Sequence, residues 1–146
     1  MIDIGSLIDN EFSRNIGLLT EGEQARLLNA KVAVAGAGGV GGIHLLTLAR
    51  LGVGKFNIAD LDVFEPVNIS RQFGAFHSTC GRHKAEVLAG MIRDINPQAE
   101  ITLFPHGVSA ENIDNFLEGV EVFVDGIEFF EIDIRRLVFN RARSKG

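Results

Sequence analysis

Hydrophobic positions along the chain alternate between short β-branched runs and longer stretches with helical spacing. The short runs cover residues 31–35, 55–60, 101–104 and 120–125, and they predict four buried strands. Stretches with helical spacing separate these strands, a pattern typical of βαβ units and a parallel sheet. We therefore expect an α/β fold in three layers, with helices on both faces of a mostly parallel sheet.

Helix signals precede and separate the strands. Thr20 and Glu23 form a predicted capping box that opens a helix toward residue 28, so residues 1–29 are interpreted as a helical N-terminal segment. Further helices are predicted from the glycine-rich stretch to residue 51, and before Pro97, which ends the next helix. The last two are predicted from a Ser109 cap to about residue 118, and from about residue 133 to residue 146.

A glycine-rich loop follows the first strand and opens a helix. Gly36, Gly38 and Gly41 have the G-x-G-x-x-G spacing, with Gly39 inside the motif. Such glycines let a phosphate approach the backbone, and the helix N-terminus offers unpaired N–H groups. Asp60 ends the second strand about 20 residues further on and is suited to accept hydrogen bonds from a ribose. These features predict a Rossmann-like nucleotide site, and they leave NAD, FAD and ATP open.

The number of predicted strands is smaller than a complete fold of this kind contains. Doubly wound nucleotide-binding domains commonly have about six strands, whereas four are predicted here. We therefore expect residues 30–146 to form the N-terminal part of a truncated Rossmann-like domain, and the isolated chain to be incomplete for catalysis.

Composition excludes several classes of function. The formal net charge is −5 and charges of both signs are interspersed, so no basic face indicates nucleic-acid or membrane binding. Cys80 is the only cysteine, which excludes an intrachain disulfide and a zinc site built on paired cysteines. No apolar run approaches the ~20 residues of a spanning helix, and no basic signal-peptide region is present. A cytoplasmic location is expected.

Polar residues outside the glycine loop form a more specific pattern. Most of them lie in or near a long polar connection that follows the second strand, and one lies far upstream. They are Arg14, Asp62, Asn68, Arg71, Gln72 and Lys84. Together with the glycine loop and the Asn96-Pro97 pair, they resemble the ThiF/MoeB/HesA family of adenylating enzymes, which includes ubiquitin-activating adenylation domains. The resemblance spans nearly the whole chain.

The resemblance implies a reaction and a set of roles. Enzymes of this family use ATP and Mg²⁺ to adenylate the C-terminal carboxylate of a ubiquitin-like or sulfur-carrier protein that ends in Gly-Gly. By resemblance, Asp60 holds the ribose, and Asn68, Arg71 and Lys84 hold the phosphates, with Asp62 and Gln72 beside them. Arg14 is implied to reach the γ-phosphate from the partner of a homodimer. The implied catalytic set is therefore Arg14, Arg71 and Lys84.

The chain departs from the family pattern after the fourth strand. Relatives have an Asp-x-x-Asp pair whose second member binds magnesium, whereas this chain has Asp125 followed by Glu128 in that place. Glu128 keeps the carboxylate but adds a methylene, and magnesium demands near-ideal octahedral geometry. Glu128 is the predicted metal ligand.

Other reactive or aromatic side chains have simpler interpretations. His77 and His83 are interpreted as surface residues, because an ionised carboxylate needs no general base. Cys80 is interpreted as structural. The four aromatic residues Phe73, Phe76, Phe129 and Phe130 are interpreted as core or interface positions.

Two alternatives remain open at this point. A NAD(P)-dependent oxidoreductase would use the glycine loop and Asp60, but it would leave Arg71 and Lys84 without a role. The chain contains no tyrosine, which excludes the dehydrogenases that need a Tyr-x-x-x-Lys pair. A non-catalytic relative that binds a nucleotide without turnover is the second alternative, and Glu128 favours it.

Overall fold

A four-stranded sheet forms the centre of the computed structural model, which describes Gly5 and residues 11–145. The strands are β1 (Lys31–Ala35), β2 (Lys55–Ala59), β3 (Glu100–Phe104) and β4 (Val122–Asp125), and their order is β3-β2-β1-β4. All neighbours are parallel. The four predicted strands are confirmed, although β4 begins two residues later than expected. Residues 1–4 and 6–10 of the predicted N-terminal segment, and Gly146, lie outside the described residues.

Helices surround this sheet. They are α1 (Glu21–Asn29), α2 (Gly39–Leu51), α3 (Lys84–Ile95), α4 (Ile113–Phe116) and α5 (Ile132–Lys145), with short 3₁₀ turns at Ser13–Asn15 and Pro66–Asn68. The capping box of α1 is confirmed, since Thr20 and Glu23 satisfy each other's backbone N–H groups. The cap predicted at Ser109 is wrong: α4 begins at Ile113, and the Ser109 hydroxyl bonds Glu111 instead. In the described part of the chain, no helix is long and apolar enough to cross a membrane.

The sheet has one helical layer on each face. Successive strand residues point to opposite faces, so Val34 and Ile58 pack with α2 and α3, whereas Ala33 and Ala35 pack with α4 and α5. The mostly parallel, three-layer Rossmann-like α/β architecture predicted from the sequence is confirmed.

The long connection between β2 and α3 is folded against the body of the protein. Phe64 is 1% exposed and packs with Ala75 and Val87. Its backbone N–H donates to Arg82 O at 3.0 Å, and its own carbonyl accepts from Gly81 N at 2.8 Å. This packing returns residues 71–72 to the glycine loop, so the connection forms one wall of the site described below.

The C-terminal helix α5 is anchored to α4 by an ion pair. The Arg141 Nη2 atom lies 2.6 Å from Asp114 Oδ2. This guanidinium, hydrogen-bonded to the carboxylate, lowers the pKa of Asp114 to about 2. The anchor lies on the face of the sheet that is opposite to α2 and α3.

Candidate functional site

A cleft of about 760 Å³ lies at the carboxyl edge of the sheet. The last residues of β1, β2 and β4 and the segment after β3 line it, and it includes the crevice between β1 and β4. Because β2 and β3 extend from β1 in one direction and β4 lies on its other side, the strand order reverses at this crevice. Ligands of open α/β sheets bind at such a switch point, so the cleft is the candidate site.

The glycine loop forms the floor of the cleft, and its glycines divide into two groups. Gly36 has φ +86°, and a Cβ atom there would overlap the Gly126 carbonyl oxygen. A Cβ at Gly41 would overlap the Gly36 carbonyl oxygen, so both positions require glycine for the fold itself. At Gly38, by contrast, the nearest atom to a Cβ is Gln72 Nε2 at 3.5 Å, an ordinary contact. The absence of a side chain at Gly38 therefore opens the backbone to a ligand.

Asp60 holds the glycine loop in place. Its Oδ2 atom accepts a hydrogen bond from Ala37 N at 2.6 Å, and its Oδ1 atom accepts one from Asp62 N at 2.8 Å. A carboxylate has about four acceptor positions, so both bonds leave acceptor capacity for a ribose. The sequence motif predicted Asp60 as a site residue, whereas its hydrogen bond to the glycine loop is visible only in the structure.

Cationic and amide side chains cover the half of the cleft next to α2 and α3. Arg71, Gln72 and Lys84 all line it. Lys84 is 7% exposed, and its Nζ atom lies 3.1 Å from Asp62 Oδ2. Gln72 is also buried, and its Oε1 atom has no hydrogen-bond partner among the described residues. With the N-termini of α2 and α3 directed at the same space, this half is suited to phosphate groups.

Two predicted site residues support the cleft from outside it. Gly41 lies within α2, against the Gly36 backbone. Asn68 is 6% exposed, and its Oδ1 atom accepts a hydrogen bond from Glu65 N at 2.9 Å. Neither residue lines the cleft, so in this structure Asn68 stabilises the 3₁₀ turn of the connection.

Arg14 lies far from the cleft of its own chain. Its neighbour Asn15 donates to the Leu51 carbonyl at 3.1 Å, at the C-terminal end of α2. This helix has 13 residues and runs about 20 Å away from the glycine loop at its N-terminus. Arg14 is exposed and does not line the cleft. Its side chain is therefore out of reach of the cleft of its own chain.

The loop after β4 forms the opposite wall. Glu128 is exposed and lines the cleft, as does Asp125. The Asp125 carboxylate is already paired, because Arg135 Nε lies 2.7 Å from its Oδ2 atom. Within the described residues, no group of three or more His, Cys, Asp or Glu side chains could hold a metal ion. A metal ion at Glu128 would therefore need further oxygen ligands from a bound nucleotide.

Three residues that line the cleft were missed or interpreted differently from the sequence. His106 follows β3, and the rule that parallel strands direct their carboxyl ends to one edge could have found it. Phe129 was expected in the core or at an interface; it lines the cleft with 76% exposure, so the core position is wrong and the interface position stays a prediction. Phe73, Phe76 and Phe130 are exposed as well. No sequence pattern indicated Arg135, since it approaches the cleft only through the packing of α5.

The chain matches one family of proteins along most of its length. A family model described as the ThiF family matches residues 12–146. The tRNA threonylcarbamoyladenosine dehydratase of Haemophilus influenzae is 35% identical over 131 residues, which are 87% of this chain and 50% of that protein. The SAMP-activating enzyme E1 of Haloferax volcanii is 36% identical over 107 residues, or 73% of this chain and 40% of that protein. The chain thus spans about half the length of these relatives or less.

A solved structure has the same fold. The E. coli tRNA N6-threonylcarbamoyladenosine dehydratase, crystallised in complex with ATP, superposes with a TM-score of 0.91 at 28% identity. The match covers 99% of this chain and 59% of the E. coli chain. The arrangement of strands and helices described above is therefore that of an ATP-binding relative.

Proposed function

We propose that this chain, which belongs to the ThiF family, forms the ATP-binding part of an enzyme that adenylates a carboxylate. The proposal rests on the residues that line the cleft. A glycine loop, a helix N-terminus, the carboxylate of Asp60 and the cations Arg71 and Lys84 line a single space. Each of these features suits one part of a nucleoside triphosphate.

The cationic half of the cleft favours ATP over a nicotinamide dinucleotide. A triphosphate carries more negative charge than the diphosphate bridge of NAD, so Arg71 and Lys84 can both form charge-assisted hydrogen bonds to it. The ATP complex of the E. coli relative supports the same choice. An oxidoreductase would leave this half of the cleft without a role.

The proposed reaction joins a carboxylate oxygen to the α-phosphorus of ATP and breaks the bond between that phosphorus and the leaving pyrophosphate. The products are an acyl-adenylate and pyrophosphate. No proton is transferred, because a carboxylate is ionised at neutral pH. Negative charge shifts toward the leaving group, and donors already fixed around the phosphates stabilise it. We assign this role to Arg71 and Lys84, ribose binding to Asp60, and an amide contact to Gln72.

Glu128 is the residue that would hold Mg²⁺. Magnesium is usually bound by one or two carboxylates together with substrate phosphates. Glu128 fits this scheme, because it lines the wall opposite Lys84 while Asp125 is paired with Arg135. When bound, the ion neutralises charge on the phosphates. The added methylene of glutamate leaves the non-catalytic alternative as the competing hypothesis.

The charge around the cleft favours a protein as the acyl substrate. Besides Glu128, which is assigned to Mg²⁺, Glu131 lines the wall opposite the cations and is exposed, and its negative charge disfavours the backbone of a nucleic acid there. We propose the C-terminal carboxylate of a ubiquitin-like or sulfur-carrier protein ending in Gly-Gly, in the cytoplasm. The name of the Haloferax relative supports a protein substrate. The name of the Haemophilus relative supports a second candidate, a carboxylate on a tRNA nucleoside.

We expect ATP to bind with a micromolar Kd in a magnesium-dependent way, and NAD to bind at least ~10-fold more weakly. Isothermal titration calorimetry measures both. Exchange of labelled pyrophosphate into ATP then identifies the acyl substrate, with carriers ending in Gly-Gly compared with the same carriers lacking Gly-Gly, and with tRNA. Equal or tighter binding of NAD would overturn the choice of ATP. Exchange stimulated by tRNA alone would overturn the protein substrate.

We expect the protein to act as a homodimer in which Arg14 of each chain serves the cleft of the other. In the enzyme of which this chain is the proposed ATP-binding part, Arg14→Ala and Lys84→Met should each abolish exchange activity. When the two variants are mixed so that subunits exchange, each mixed dimer regains one intact site, and about a quarter of the normal activity should return. A mixed dimer confirmed by mass spectrometry but without activity would contradict the transfer of Arg14 between subunits. So would a stable monomer in light scattering that retains exchange activity.

A further inference from the structure

Arg135 connects α5 to the loop that carries Glu128. Its Nε atom forms an ion pair with Asp125, 2.7 Å from Oδ2, without the alignment of an N–H···O hydrogen bond. Its Nη2 atom donates a hydrogen bond to the Ile127 carbonyl, and its Nη1 atom donates one to the Phe129 carbonyl at 3.5 Å. The side chains of Arg135 and Asp125 are 27% and 23% exposed, so both are largely shielded from water. One guanidinium therefore binds a side chain and a backbone group on either side of Gly126.

The same loop is also fixed to β1. Gly126 N donates to the Ala35 carbonyl at 2.8 Å, and Ile127 N donates to Asp125 Oδ1 at 3.0 Å. A Cβ at Gly126 would overlap the Gly36 carbonyl, so the loop lies directly against the glycine loop. The segment before Glu128 is therefore held by β1 on one side and by α5 on the other.

The positive charge of Arg135 is already paired with a carboxylate. Although Arg135 lines the cleft, its ion pair with Asp125 neutralises its charge, and both of its terminal nitrogens donate to carbonyls, those of Ile127 and Phe129. Arg71 differs in this respect. Among the described residues, its guanidinium donates a single side-chain hydrogen bond, to the exposed Val67 carbonyl at 3.1 Å. Arg135 is suited to orient a neighbouring group and poorly suited to bind phosphate directly.

We infer that Arg135 is a positioning residue that places the Glu128 carboxylate for magnesium in the nucleotide cleft. The inference rests on the proposed function, since it requires that ATP binds with Mg²⁺ at Glu128. Arginine is needed because its planar guanidinium can donate to two carbonyls while it pairs with a carboxylate, whereas the ammonium of lysine is a single point charge. Residues that orient metal ligands commonly change metal affinity when they are replaced.

The test measures how magnesium changes ATP affinity. For Arg135→Met we expect the gain in ATP affinity on adding Mg²⁺ to fall by ~10-fold or more, with affinity in EDTA changed less than about twofold, within the spread expected of surface changes. Arg135→Lys keeps the charge and should show the same loss to a smaller degree. Both variants are measured by calorimetry, with thermal unfolding as a check on the fold.

A matched control lies on the same helix. Arg141 forms an ion pair of similar length with Asp114, at 2.6 Å, away from the cleft. Arg141→Met should change thermal stability without changing the effect of magnesium on ATP affinity. If Arg135→Met and Arg141→Met behave alike, Arg135 is only structural and the inference is wrong.

A double variant tests the route of the effect. In a Glu128→Gln background, Arg135→Met should cause no further loss of the magnesium effect, because the group that it positions is gone. A full additional loss would overturn the inference. Failure of the unsubstituted protein to bind ATP would refute the proposed function itself. If that protein binds ATP in a magnesium-dependent way, and Arg135→Lys and Arg135→Met leave the effect of magnesium unchanged, only the role of Arg135 is refuted.

Discussion

We expect the Gly36→Ala variant to lose about 2–5 kcal/mol of folding free energy and, with it, nucleotide binding. Two costs add at this position. The backbone at Gly36 has φ +86°, which is unfavourable for any residue with a Cβ, and that Cβ would overlap the Gly126 carbonyl oxygen. The glycine loop and the loop after β4 would have to separate, although they form the floor and one wall of the cleft. Chemical denaturation and calorimetry with ATP measure the two losses.

Two other glycines serve as controls for this prediction. Gly90 lies in α3, and no atom from outside its own stretch of helix lies within 4 Å of where a Cβ would stand, so Gly90→Ala should stabilise the protein by about 0.5–1 kcal/mol. Gly38→Ala should leave stability nearly unchanged and weaken ATP binding, because the space beside Gly38 is open to the ligand. Normal stability of Gly36→Ala would show that the close contact with Gly126 does not constrain the fold.

We expect Lys84→Met to weaken ATP binding by roughly 10- to 100-fold, the range for losing a hydrogen bond to a charged group. The loss should be much smaller for AMP, which lacks the β- and γ-phosphates. Lys84 begins α3 and is 7% exposed, with its Nζ atom 3.1 Å from Asp62 Oδ2. The fold should tolerate the change, because Asp62 has 56% of its side chain exposed and remains hydrated without its partner.

The control for Lys84 is a lysine at the amino ends of the strands, opposite to the carboxyl edge that forms the cleft. Lys55 begins β2, and its Nζ atom lies 3.6 Å from Glu100 Oε1. Lys55→Met removes the same charge and should leave ATP and AMP binding unchanged. Equal losses of ATP and AMP in Lys84→Met would show that Lys84 does not distinguish the outer phosphates. Arg71→Ala should follow the pattern of Lys84→Met, with ATP affected far more than AMP.

Local patterns in the sequence predicted the elements well because each pattern has a local cause. Strands β1 and β2 are short runs whose residues are buried on both faces, and the capping box of α1 spans only four positions. The helix boundary at α4 was wrong for the same reason. Ser109 is a suitable cap by type, but its hydroxyl bonds Glu111 and the helix starts at Ile113.

The candidate site was predicted in part. The glycine loop, Asp60 and the cations of the connection come together as expected, since the carboxyl ends of parallel strands share one edge. Asn68 does not reach the cleft, because its side chain completes the turn that begins at Glu65. The assigned roles of Arg14, Lys84 and Glu128 stay predictions.

The amino-acid sequence was enough to predict the α/β architecture, the position of the glycine loop and the family, because these depend on periodicity and on motifs of adjacent residues. Which distant groups meet depends on the packing of the folded chain. This packing places Arg14 beyond reach of its own cleft, pairs Lys84 with Asp62, and brings Arg135 to Asp125. Those contacts depend on how whole helices pack against the sheet, and side chains from separate elements leave no shared pattern along the chain.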